Sequence, residues 1–156
     1  MKKVQQGTLV FLRRDDEVLL AMKKRGFGAG NWNGVGGKVE AGEEVRAAAV
    51  REVQEEIGVT PLALESVARL TFRYPKGKIT EWDGYVYICT EWKGEPIETE
   101  EMAPRWFKLG DIPYEQMWAD DPHWLPLVLA GKRVKAEFTF DADNKVTEHD
   151  VQVLAR

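Results

Sequence analysis

VREVQEEIG, residues 50–58, crowds Glu52, Glu55 and Glu56 onto one short helical run, immediately before a glycine suited to ending the helix. Positions three and four apart lie side by side on a helix, so Glu52 faces both Glu55 and Glu56, and each like-charge pair costs roughly 0.2–0.5 kcal/mol. With Gly58 as the stop, Glu55 and Glu56 also occupy the negative end of the helix dipole, unfavourable by roughly 0.3–1 kcal/mol each. Arg51 relieves part of this charge, but one guanidinium does not neutralise three carboxylates. A divalent cation does.

Further along the same helix, Val45, Ala49, Val50, Val53 and Ile57 form one apolar stripe, with Glu52 and Glu56 at its edge. Ala48 lies between the two glutamates on the wheel, and its small side chain predicts room for a ligand. Upstream runs RGFGAGNWNGVGGKVEAGE, residues 25–43, in which Gly30, Gly34, Gly36, Gly37 and Gly42 stand close together. Such a loop feeding a helix either makes turns or aims backbone amides and carbonyls at a phosphate or a metal. Its spacing is neither that of a P-loop nor that of the dinucleotide fingerprint.

The chain of 156 residues predicts a single domain over 1–156. Its 22 basic and 26 acidic residues, net charge −4, lack the concentrated basic face that binding to a nucleic-acid backbone requires. Cys89 stands alone, which excludes an internal disulfide and every multi-cysteine zinc pattern. The apolar segment near the N-terminus is far shorter than the roughly 20 residues of a membrane span, so no membrane association is expected. A cytoplasmic monomer is the expectation.

Alternating and aromatic-rich runs predict strands at 3–13, 17–24, 65–74, 79–91 and 104–109, helices at 43–57 and 122–130, and a final hairpin around DADN. Mixed order and hairpins predict an α+β class, a mixed central sheet with about two helices.

From Gly37 to Val59 the residues run G, five others, Glu43, seven others, then Arg51-Glu52-Val53-Gln54-Glu55-Glu56-Ile57-Gly58-Val59. This resembles the Nudix box at every defined position. The resemblance implies a Nudix α/β/α sandwich and a catalytic set of Glu52, Glu55 and Glu56 holding Mg²⁺, with Mn²⁺ as a substitute. It implies that Gly36 or Gly37 offers a carbonyl to the metal, that Glu43 and Arg51 form a structural ion pair, and that Glu101, with Glu100 as its competitor, completes the metal site.

The stretches MKKRGFGAGNWNGVGGKVEAGE, EEMAPRWF and QMWADDPHWLPLVL resemble the oxidised-purine nucleoside triphosphate diphosphatases of that family. The implied reaction is hydrolysis of a small-molecule (deoxy)nucleoside triphosphate such as 8-oxo-dGTP or 2-hydroxy-dATP to the monophosphate and pyrophosphate, sanitising the nucleotide pool. Phe27, Phe72, Trp118 and Trp124 are candidates for an aromatic clamp on the base, or are core. Asn33 either reads the base edge or makes a turn. Thr8, Lys23, Gly36, Gly37 and Lys38 are further substrate-binding candidates. Asp121 before Pro122 has the form of an N-cap, while the resemblance assigns both Asp120 and Asp121 to the base. Two adjacent carboxylates in a dry pocket resist ionising together, so one can donate while the other accepts.

Pyrophosphatases for ADP-ribose, dinucleotide polyphosphates or unmodified dNTPs share the box, as do nucleotide-binding modules without catalysis. The isoprenoid diphosphate isomerases that share it need a pocket cysteine, and Cys89 lies in the strand-like YVYIC.

Overall fold

The computed structural model describes residues 4–26 and 28–154. The strands are β1 (Val4–Arg14), β2 (Glu17–Lys23), β3 (Trp32–Asn33), β4 (Thr60–Arg73), β5 (Glu81–Lys93), β6 (Met102–Lys108), β7 (Arg133–Phe140) and β8 (Val146–Leu154). The helices are α1 (Val45–Ile57) and α2 (Asp121–Leu129), with single 3₁₀ turns at Leu109–Asp111 and Tyr114–Gln116. The strand order is β3-β2-β1-β5-β4-β7-β8, with β6 on β2, and the β1–β5 and β4–β7 pairs are parallel among otherwise antiparallel neighbours. The mixed sheet with two helices is the α+β arrangement the sequence predicts.

Period-two alternation explains why the sheet is covered on both faces. Val10, Leu12, Leu19 and Ala21 point into one core with Ala49, Val53 and Ile57 of α1. Phe11, Val18 and Leu20, one residue out of phase, point into the other with Trp124, Leu125 and Val128 of α2. Ala48 is also fully buried and does not border the ligand cavity, so its small size serves close packing and leaves no room for a ligand.

Local chemistry fixes the turns. Asp15 adopts φ 50° in the two-residue link between Arg14 and Glu17, the left-handed conformation that a tight hairpin requires. Gly58 ends α1 at φ 71° with its N–H on the Gln54 carbonyl. At the β7–β8 turn, Asp141 Oδ1 accepts the N–H of Asp143 (2.8 Å) and of Lys145 (3.0 Å). Removing that acceptor by Asp141→Ala is expected to lower Tm by roughly 2–4 °C, read by thermal unfolding.

Candidate active site

The glycine loop does not lie free beside the helix. It runs antiparallel along β1, with Thr8 N on the Gly37 carbonyl (2.8 Å), Val10 N on the Val35 carbonyl (2.7 Å) and Val39 N on the Gln6 carbonyl (3.0 Å). A Cβ on Gly36 would stand 1.8 Å from the Thr8 carbonyl oxygen, so no side chain fits there. A Cβ on Gly37 would stand 2.5 Å from the Glu52 carboxylate. Strand, loop and helix therefore stack at contact distance, with the glutamates against the loop. The Gly37 carbonyl is taken by Thr8, while the Gly36 carbonyl has no backbone donor among the described residues.

Arg51 is the hub of the acidic helix. Its Nε and Nη2 hold Glu43 (2.8 and 3.0 Å), its Nη1 holds Glu52 (2.9 Å) and Glu55 (3.2 Å), and Nη2 also donates to the Lys38 carbonyl (3.0 Å). This bonding holds the Glu43 carboxyl down at about 2, Arg51 first and the Glu40 N–H second. Arg51→Lys keeps the charge but loses the planar fork, and is expected to lower Tm by roughly 2–4 °C; an unchanged melting curve would contradict that role.

Glu56 gets none of this relief. Its Oε2 is buried without a hydrogen-bond partner among the described residues. Burial first, then the charge of Glu52 and a hydrogen bond shared with it, push the Glu56 carboxyl up to about 8, against a smaller opposing pull from Lys23. A half-buried carboxyl pressed against a second carboxylate is what a bound cation would relieve, and all-oxygen donors suit a hard divalent ion. The donor set fits such a cation, although among the described residues no three acidic, histidine or cysteine groups converge by themselves. Glu55 is held on Arg51, and Glu101 on Arg25 (2.5 and 3.2 Å), which also lowers the Glu101 pKa. Glu100 is exposed, 3.7 Å from Arg25. The Glu101 segment is tied to the helix end by Thr99, whose Oγ1 donates to the Glu56 carbonyl (2.8 Å) and accepts the Met102 N–H (3.2 Å).

A cavity of about 250 Å³ opens from Glu56, Gly36 and Gly37. Thr8, Lys23, Asn33, Phe72, Trp118, Asp120, Asp121 and Trp124 line it. Lys38, Glu52, Glu55 and Glu101 lie outside its walls, and Phe27 falls outside the described residues. The Asn33 Oδ1 accepts the Gly34 N–H (2.8 Å), leaving its NH₂ for a ligand. Asn33 lies in β3 beside Ala21, so it is not the turn residue its NWNG setting allows. Trp124 is fully buried and gives its indole N–H to Asp120 Oδ2 (2.8 Å), so it braces the aspartate more than it clamps a ligand.

α2 begins at Asp121, one residue earlier than predicted, and neither aspartate caps it through its side chain. The N-cap reading of Asp121 is therefore corrected: the carboxyl is buried, and its Oδ2 has no partner among the described residues. Burial raises the Asp120 pKa to about 6 against the Trp124 bond; burial, then the Asp120 charge, raises Asp121 well above the ordinary range. Each carboxyl lies within reach of the other, and their mutual interaction raises Asp121 while lowering Asp120.

Sequence reading missed Leu9, Tyr74, Trp82, Gly84 and Met102 in the cavity wall. Strand alternation carries the signal for most of them. Gly7, Leu9 and Phe11 on β1, Trp82, Gly84 and Val86 on β5, and Leu70 and Phe72 on β4 share one face, in register as Gly7↔Gly84↔Leu70. Trp82 lies over Gly7, where a Cβ would meet its ring at 3.1 Å.

Comparison with known proteins agrees with this geometry. An oxidized purine nucleoside triphosphate hydrolase of Danio rerio is 44% identical over 142 residues, 91% of this chain and 90% of that one. One of Mus musculus is 39% identical over 145 residues, 93% and 92% of the two chains. The crystal structure of the mMutator MutT protein from Bacillus halodurans superposes with a TM-score of 0.81 at 29% identity, over 95% of this chain and 97% of that one. The family model for the NUDIX domain matches residues 3–128, and the chain belongs to that family.

Proposed function

We propose that this chain is an enzyme that hydrolyses oxidised purine (deoxy)nucleoside triphosphates, such as 8-oxo-dGTP or 2-hydroxy-dATP, to the monophosphate and pyrophosphate, thereby sanitising the nucleotide pool. The observation that carries this reading is the buried Asp120–Asp121 pair at an aromatic cavity that also reaches Glu56; the raised Asp121 pKa lets one of the two keep a proton. One carboxylate and one carboxylic acid side by side present an acceptor and a donor to a purine edge, matching a base whose oxidation rearranges its donors and acceptors. Relatives in fish and mouse named oxidized purine nucleoside triphosphate hydrolases support the same substrate class.

In this reading Glu52, Glu55, Glu56 and Glu101, with the Gly36 carbonyl, hold Mg²⁺, or Mn²⁺ as a substitute. The ion supplies neutralisation of the polyphosphate charge and acidification of water. Lys23 faces the phosphates from the cavity wall. Glu56 Oε2 takes the proton of the attacking water, whose oxygen bonds to phosphorus as the anhydride P–O bond joining the monophosphate and pyrophosphate parts breaks. Thr8, the Gly37 backbone, Lys38, Asn33, Phe27, Phe72, Trp118 and Trp124 bind or support the nucleotide. We read 1–156 as one domain; in support, β7 and β8 continue the same sheet past the region the family model matches. We propose a cytoplasmic monomer. Separately, no helix among the described residues is long and apolar enough to cross a membrane.

A pyrophosphate-release assay on 8-oxo-dGTP, 2-hydroxy-dATP, dGTP and ADP-ribose, with and without Mg²⁺, tests the reading. Preference for the two oxidised triphosphates, abolished by chelation, is expected. Preference for ADP-ribose or dGTP would replace the substrate, and binding without product would remove the catalysis.

A further inference from the structure

Away from the cavity, the only two histidines of the sequence meet on the surface. His123, on α2, and His149, on β8, have ring centroids 4.2 Å apart and planes inclined at 34°. Both residues are exposed. Phe138, the β7 partner of His149, lies under both rings at centroid distances of 6.0 and 6.5 Å and limits where they can turn. No ring nitrogen of either histidine makes a hydrogen bond to the described residues. Two imidazoles from different elements are thus held close with their nitrogens uncommitted. Nothing in the proposed hydrolysis uses them.

We propose that His123 and His149 form a bidentate site for a borderline divalent ion of the Ni²⁺, Cu²⁺ or Zn²⁺ class, with water filling the remaining positions. Imidazole nitrogen favours these ions over Mg²⁺, which prefers oxygen. At metal–nitrogen distances of about 2.0–2.1 Å, two rings on one ion have centroids roughly 4.5 Å apart at a right angle and roughly 5.2 Å apart at a tetrahedral angle. The observed 4.2 Å is closest to the right-angled case, the geometry of Ni²⁺ and Cu²⁺. Burial, and then His149, hold His123 below the ordinary histidine range, so it is already in the neutral form that ligates. An ion here joins α2 to β8, and the His123 N–H is bonded to the Asp120 carbonyl at 2.9 Å. The site thus connects to the base pocket through one hydrogen bond.

The test is calorimetric titration of tag-free, chelator-stripped protein with Ni²⁺ in saturating Mg²⁺, which occupies the oxygen site. Wild type is compared with His123→Asn and His149→Asn, each shown in EDTA to melt within about 2 °C of wild type. Wild type is expected to bind one more equivalent than either variant, with a micromolar dissociation constant, and each variant to weaken that step at least tenfold. Equal stoichiometry and affinity in all three proteins, or no Ni²⁺ uptake by wild type, overturns the proposal. Neither result depends on the nucleotide hydrolysed.

Discussion

Replacing Glu56 with Gln is expected to lower turnover in the pyrophosphate-release assay by roughly 10²–10⁴-fold, the range for losing a positioned proton acceptor. The substitution keeps the side-chain shape and removes only the ability to ionise. The same variant should be more stable than wild type when metal is absent. In the folded chain the carboxyl is pushed up to about 8 from an ordinary 4.5 by burial, then by Glu52. Below pH 4.5 it is protonated whether folded or not and exerts no penalty. As pH rises towards 8 the unfolded chain gains from ionisation while the folded chain resists it, so wild-type stability falls. Gln does not titrate. The melting curves of variant and wild type should therefore separate between pH 4.5 and 8 and stay parallel above. Allowing for partial screening by water, the gap is on the order of 2 kcal/mol, or roughly 4–8 °C in Tm. Added Mg²⁺ should reverse the ranking, because wild type, with its full set of ligands, gains more from binding it. Normal turnover in Glu56→Gln would remove this residue from the reaction.

The helix that bears Glu56 was legible because its constraints are local. Gly58 marks its end, and the 3.6-residue period separates Val53 and Ile57 from the glutamates. The hairpins were legible for the same reason, since Asp15 and Asp141 act on backbone within four residues. What failed needed long-range partners. Trp32–Asn33 reads as loop among its glycines, yet becomes a strand because Ala21 and Met22 offer an open edge. β4 starts at Thr60, well before the predicted 65, because its irregular pairing with β5 accommodates Pro61 opposite Trp92. In the site, spacing gathers the glutamates but cannot say which of them Arg51 will hold. Glu52, Glu55 and Glu56 look alike in sequence; only their surroundings leave Glu56 buried and unrelieved. Asp120 and Asp121 likewise read as a helix start until Trp124 and the cavity wall are seen around them.

For that reason the substitutions Asp120→Asn and Asp121→Asn should separate stability from recognition. Asp120 titrates near 6 in the folded chain against an ordinary 3.8, and Asp121 higher still. Folding is thus opposed as pH rises above 3.8, where the unfolded aspartates ionise first, and the loss is complete only once the folded pair has titrated. Either asparagine variant avoids part of this, so at pH 7.5 each should melt roughly 3–6 °C above wild type, a gain that vanishes below pH 4. Recognition should move the other way. Asparagine at 120 replaces the charged acceptor that Trp124 supports, while asparagine at 121 fixes a donor where wild type can redistribute its proton. A site built to bond a particular purine edge loses heavily when that bonding is disturbed. Asp120→Asn should lower kcat/KM on 8-oxo-dGTP by roughly 10²-fold or more. Asp121→Asn should chiefly change the ratio between 8-oxo-dGTP and 2-hydroxy-dATP, whose edges ask for different proton placements. If both variants hydrolyse the panel of triphosphates in wild-type ratios, the aspartate pair does not read the base, and its burial has to be explained by packing around Trp124 alone.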